Sequence, residues 1–154
     1  MIMSDASKPA KRGIPPANCT GNFAVAVNQR PMVIKSLRAR LMLRPELAEA
    51  PTHWIWKIIA DGKVGQKRTS IGLFFDRDLP AGTYDLVANE HIKIVYNESP
   101  GRRNVVYHSA NLQTGQFTLL KADIARQQIK GLFSFGMSAI DFEVSDGEFD
   151  LQCR

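Results

Sequence analysis

The sequence predicts an all-β protein, an antiparallel β-sandwich or partly closed β-barrel of about nine or ten strands. Three features of the chain carry that expectation. Apolar and polar residues alternate with a period of two in segment after segment. Gly, Pro, Asn or Asp bound each segment, and these residues accept turn geometry. No segment repeats apolar residues at helical spacing for long enough to form a core helix.

Residues 1–17 hold Pro9, Pro15 and Pro16 among Ser, Lys and Ala, with no apolar period, and read as a flexible N-terminal arm. Residues 18–154 read as one all-β domain. Phe23, Val25 and Val27 alternate with polar or small neighbours, and Asn28 to Pro31 supplies a turn. Leu37, Ala39, Leu41 and Leu43 then share one face, while Ser36, Arg38, Arg40 and Arg44 share the other. That is a half-buried antiparallel strand with a basic outer face.

Between Pro45 and Pro51 the chain can make one helical turn, with Pro45 at its first position. Trp54 to Ala60 is β-branched and aromatic, hence a strand. Asp61 to Gly65 reads as a turn, and Thr69 to Phe75 as the next strand. Pro80 presets a turn that Gly82 completes before Thr83 to Leu86 restarts the strand pattern. Ile92, Ile94 and Tyr96 alternate with His91, Lys93 and Val95. Ser99-Pro100-Gly101 turns toward Val105 to His108, followed by strands over Gln116 to Lys121 and Ile129 to Phe135. Gly131 inside the latter marks a bulge or a close backbone approach.

The chain closes on Phe142 and Val144, then Phe149, Leu151 and Cys153, with a change of parity across Asp146-Gly147. Either a two-residue hairpin turn or a glycine bulge in one long strand keeps these residues in one core. The hairpin would set Glu143 against Asp150, a like-charge pair, which tilts the reading toward the bulge.

Gly115-Gln116-Phe117-Thr118-Leu119, Gln128 to Phe135 (Gln-Ile-Lys-Gly-Leu-Phe-Ser-Phe) and Phe142 to Leu151 together resemble the C-terminal half of a group of small bacterial all-β domains of unknown function. The Ala81-Gly82-Thr83-Tyr84-Asp85-Leu86 turn and the opening Gly21 to Asn28 are similar to its N-terminal half. The resemblance touches most of residues 21–151 and rests on structural glycines and core aromatics. It implies a fold and no activity. Many members of the group look exported or lipid-anchored, whereas this chain shows no export signal, so the expected location is cytoplasmic.

Net charge is +5, but its distribution is uneven. From Met1 to Arg44 eight basic residues face one acidic residue, a balance of 8 − 1 = +7. From Pro45 onward twelve basic face fourteen acidic residues, 12 − 14 = −2, and Asp141, Glu143, Asp146, Glu148 and Asp150 crowd the end. One reading brings the basic second strand beside the acidic last strand. The other makes Lys35, Arg38, Arg40 and Arg44 a patch for nucleic acid or another anionic surface. Cys19 and Cys153 lie near the two ends and read either as free thiols or as a disulfide joining the first strand to the last. No apolar run approaches a bilayer span.

His53, His91 and His108 match no metal-ligand spacing, and no P-loop, G-x-G-x-x-G or G-x-S-x-G motif occurs. Ser109 beside His108 is a neighbour in sequence only, and Asp76 with Asp78 is a candidate carboxylate pair. Trp54 and Trp56 share a face with Ile58, as core or, if exposed, as a contact platform for a protein or carbohydrate. No cofactor is implied. The sequence therefore points to a non-enzymatic binding or assembly module, its partner a protein or a second copy of itself. Nucleic-acid binding through the basic segment is the alternative, and a small hydrolase or metalloprotein using the histidines is a third.

Overall fold

In the computed structural model, which describes residues 19–43, 54–99, 105–108 and 111–153, the alternating segments pair into two antiparallel sheets. The strands are β1 (Cys19–Val27), β2 (Arg30–Pro31), β3 (Val33–Leu43), β4 (Trp54–Val64), β5 (Lys67–Asp76), β6 (Gly82–Asp85), β7 (Ile92–Ser99), β8 (Val105–His108), β9 (Thr114–Asp123), β10 (Gln128–Met137) and β11 (Phe142–Cys153). One sheet runs β2-β1-β11-β10-β9-β6 and the other β3-β4-β5-β7-β8. Each sheet keeps its own edges, so the fold is a sandwich and not a barrel. The chain exceeds the expected strand number chiefly through β2, a two-residue strand on the far side of the Asn28-Gln29 turn.

Turn chemistry follows the residues. Asn28 (φ 49°) and Gln29 (φ 69°) both adopt the left-handed region that tight antiparallel hairpins require. The Asn28 side chain also accepts a 2.8 Å hydrogen bond from the Glu143 amide, which ties this turn to the start of β11. The turn read at Asp61 to Gly65 lies further along: β4 continues to Val64, and Gly65 (φ 61°) reverses the chain into β5. Ladder pairing through Asp61, Gly62 and Lys63 holds that polar stretch extended against its turn propensity.

The core forms where the inward rows of the two sheets meet. Phe75 and Phe117, from opposite sheets, have ring centroids 5.0 Å apart, and Tyr96 meets Phe142 edge-on at 4.8 Å. Fully buried Trp56, Ile58, Ile71, Leu73 and Ile94 fill the five-stranded side. Burial of each such side chain stabilises by about 1.5–3 kcal/mol.

β11 is one continuous strand with a bulge, which resolves the parity change at Asp146-Gly147. Ala24 pairs with Glu148 and Ala26 with Ser145, so Asp146 and Gly147 of β11 together oppose the single residue Val25 of β1. Asp146 takes φ 53° to make the extra step. Val144 and Phe149 both stay buried as a result.

The first and last strands do pair, with Cys19 directly opposite Cys153. The basic strand does not join them. β3 is an edge of the five-stranded sheet, whereas β11 lies inside the six-stranded sheet between β1 and β10. Arg38 and Arg40 therefore face away from Glu148 and Asp150, on the opposite outer surface of the sandwich. Among the described residues no helix is long and apolar enough to cross a membrane. The arm at 1–17, the turn at 45–51 and Arg44 lie outside the described residues.

Candidate functional site

The outer face of the five-stranded sheet collects the cations. Side chains alternate along each strand, so the neighbours of buried residues face outward. On β3 the exposed Arg38 and Arg40 flank buried Ala39. On β4 Lys57 lies between buried Trp56 and Ile58, on β5 Phe74 between buried Leu73 and Phe75, and on β7 Lys93 between buried Ile92 and Ile94.

Register then places these residues in one row. Arg40 stands opposite Lys57, Lys57 opposite Phe74, and Phe74 opposite Lys93. The adjacent row reads Arg38, Ile59, Gly72, Val95 and His108. The Lys57 ammonium lies 6.0 Å from the Phe74 ring centroid, a cation–π distance. Gly72 makes room for that ring: a Cβ there would lie 3.0 and 3.4 Å from its Cε1 and Cζ atoms.

A second like-charge pair, Lys63 opposite Arg68, lies on the same face six residues along β4, about 20 Å away at strand spacing. Like charges directly opposed across a sheet are destabilising, by a few tenths to about 1 kcal/mol each. Among the described residues, no carboxylate stands directly opposite Arg40, Lys63 or Arg68 in the register. The six-stranded sheet treats its opposed lysines differently: Lys130 faces Lys121 on one side and Asp150 on the other. On the basic face Arg38 reaches Asp61 at 3.2 Å, but both groups are well exposed and the pair contributes little.

Of the residues singled out in the sequence, Arg38 and Arg40 lie at this face, and Lys35 is the exposed extra residue of a bulge between Ile34 and Ser36. Trp56 is fully buried and Trp54 half-buried against the core, so the tryptophans form no contact platform there. The aromatic on the basic face is Phe74. Its signal was present in the sequence, since two consecutive phenylalanines in a strand must point to opposite faces.

The histidines divide. His91 Nδ1 lies 2.7 Å from Asp76 Oδ2, with the carboxylate buried and the imidazole largely exposed. The Asp76 amide also donates to the His91 carbonyl, and the Asn89 side chain accepts from the His91 amide. These bonds pin the end of β5 to the start of β7. Asp78 turns instead to Arg77 at 3.3 Å, so Asp76 and Asp78 engage different partners. His108 belongs to β8 and the basic face. His53 and Ser109 lie outside the described residues. Among the described residues no three His, Cys, Asp or Glu side chains cluster closely enough to hold a metal.

Two adjoining hollows of about 430 and 350 Å³ open on the six-stranded side, sharing Thr114 and Glu143. Asp85, Gln113, Gln116 and Ser134 line one of them and Asn28, Ser138 and Asp141 the other. They offer carboxylates, amides and hydroxyls in shallow, open sites. Comparison with protein-family models, curated proteins and solved structures yields no match.

Proposed function

We propose that this chain is a non-enzymatic binding module that takes an anionic ligand on the outer face of its five-stranded sheet. The observation that supports the reading is the collection of cations on one outer face, with Arg38 and Arg40 on β3, Lys57 and Lys63 on β4 and Arg68 on β5. Lys63 and Arg68 stand directly opposite each other, which costs stability in the free protein, and a bound anion lying between them removes that cost. Lys57, Lys63 and Arg68 sit on the inner strands β4 and β5, whose pairing on both sides fixes the backbone that carries them. His91, the alternative focus for chemistry, spends its hydrogen bonds on Asp76 and Asn89 in holding two strand ends together.

Heparin, a polyanion, tests the reading directly. The protein is expected to bind it at low ionic strength, with affinity falling linearly against salt on logarithmic axes. Arg40→Gln combined with Lys57→Gln is expected to weaken binding and to lower the salt slope by about one for each cation removed. Failure to bind heparin at low salt overturns the proposal.

A further inference from the structure

We infer that the anion is seated at the end of this face, on the tip of the β4–β5 hairpin, as a phosphate or sulfate group held by Arg30, Lys63 and Arg68; the inference rests on the anionic-ligand reading above. The tip is a two-residue turn, Gly65-Gln66, closed by the pairing of Val64 with Lys67. Four exposed cations surround it. Lys63, Lys67 and Arg68 come from the hairpin itself, and Arg30 from the short strand β2 of the other sheet.

The fold brings Arg30 to this place. It stands opposite buried Val27 across the Asn28-Gln29 turn, so it points toward the five-stranded sheet. Its guanidinium lies against the hairpin: Nη2, Nη1 and Cζ are 2.9, 3.0 and 3.1 Å from where a Cβ on Gly65 would stand. Gly65 has φ 61°. The glycine thus serves twice, making the turn and leaving the space against which the guanidinium rests.

The cations of the tip differ in their partners. Lys67, on the inner side, is met by Glu98 at 3.6 Å. Asp61, two residues before Lys63 on the outer side of β4, is engaged by Arg38 at 3.2 Å. Among the described residues no carboxylate lies within ion-pair distance of Arg30, Lys63 or Arg68. Lys63 and Arg68 stand directly opposite each other, which sets their Cβ atoms about 4.5–5.5 Å apart and lets both reach one anion.

Ligand class follows from the directions of approach. Lys63 and Arg68 leave the outer side of the hairpin, Arg30 comes from the inner side, and only the two-residue turn lies between them. A carboxylate offers two oxygens in one plane. A phosphate or sulfate group disposes its oxygens tetrahedrally, so it accepts from donors on several sides at once, and the guanidinium fork matches two of those oxygens.

Isothermal titration calorimetry at low ionic strength, with tripolyphosphate, hexaglutamate and heparin, tests the site. Tripolyphosphate is expected to bind more tightly than hexaglutamate. Lys63→Gln combined with Arg68→Gln should weaken tripolyphosphate binding by about tenfold or more, and Arg30→Gln by about fivefold. Lys121→Gln combined with Lys130→Gln removes the same charge from the other sheet and should leave the affinity within about twofold. Gly65→Asn keeps every charge and a residue tolerant of the left-handed turn, but its Cβ displaces the guanidinium, so it too should weaken binding. Vesicles carrying a phosphoinositide distinguish the sources: tighter binding to them than to tripolyphosphate supports the site and assigns the group to a lipid headgroup, and the reverse supports it and assigns a soluble anion. Unchanged tripolyphosphate affinity in either tip variant, an equal loss in the Lys121 and Lys130 control, or tighter binding of hexaglutamate overturns this inference; heparin binding by the wild type then leaves the anionic-ligand reading standing. Failure of the wild type to bind heparin or tripolyphosphate overturns both.

Discussion

Tyr96 is where a single residue controls a measurable property of the whole fold. Its ring is buried between Tyr107, at 6.0 Å, and Phe142, and its hydroxyl donates to Glu98 at 2.7 Å. Burial first, and then the hydrogen bond to Glu98, pushes the Tyr96 hydroxyl well above its ordinary value of 10.0. Below that value both folded and unfolded chains hold the proton, so this residue gives no pH dependence. Above it the unfolded chain releases a proton that the fold retains, and stability falls by about 1.4 kcal/mol per pH unit. Urea unfolding from pH 8 to pH 12 should therefore show a decline that is shallower by one group in Tyr96→Phe. An identical slope in the two proteins would remove Tyr96 from this role. Phe74 and Phe75 make the complementary point about legibility. Their adjacency shows that one of them faces outward, but only pairing with β4 and β7 reveals that Phe74 stands between Lys57 and Lys93 in the register.

At the scale of the element, β11 shows how one irregular step keeps a long strand in use. The bulge at Asp146 and Gly147 was visible as a change of parity, because buried residues on either side had to share a face. The glycine's role required the neighbouring strand. A Cβ on Gly147 would lie 2.6 Å from the Phe133 ring and equally close to the Phe133 carbonyl oxygen. Backbone cannot yield as a flexible side chain can, so Gly147→Ala is expected to destabilise the protein by about 2–3 kcal/mol. Chemical denaturation checks this, and a loss under 1 kcal/mol would show that β10 can give way. The β4–β5 hairpin shows the opposite failure of local reading. Asp61 and Gly62 signal a turn by composition, yet pairing with β3 and β5 on both sides keeps them extended. Cross-strand partners outweighed propensity, as they commonly do in central strands.

For the molecule as a whole, the pairing of β1 with β11 brings the two ends of the chain together, and Cys19 falls directly opposite Cys153. Opposed Cα atoms in an antiparallel pair lie about 4.5–5.5 Å apart, within the range a disulfide spans. Incubation with oxidised glutathione, which accepts the two electrons, should therefore close an intramolecular bond in the native protein. Such a bond would restrain nearly the entire unfolded chain, stabilising by roughly 3–5 kcal/mol. Non-reducing electrophoresis and the thermal midpoint check it. Two thiols that stay reactive after oxidation, or a covalent dimer, would count against the closure. The same topology parts the basic strand from the acidic end of the chain: Arg38 and Arg40 lie outside the five-stranded sheet, and Glu143, Glu148 and Asp150 outside the six-stranded one.

By itself the sequence determined the fold class, the faces of most strands and the irregularity in the last one. All three follow from alternation and turn chemistry, which act between residues close in the chain. It also marked Arg38 and Arg40 as outward and basic. Tertiary structure alone decided which strands are neighbours, and hence that the basic strand lies apart from the acidic one. It also decided that Arg40, Lys57, Phe74 and Lys93 form one row. Those residues come from four strands spread over more than fifty positions of sequence, and no local period encodes the register that aligns them. The core sets that register, because a slip by one residue would turn Trp56, Leu73 and Ile94 out to solvent along with it.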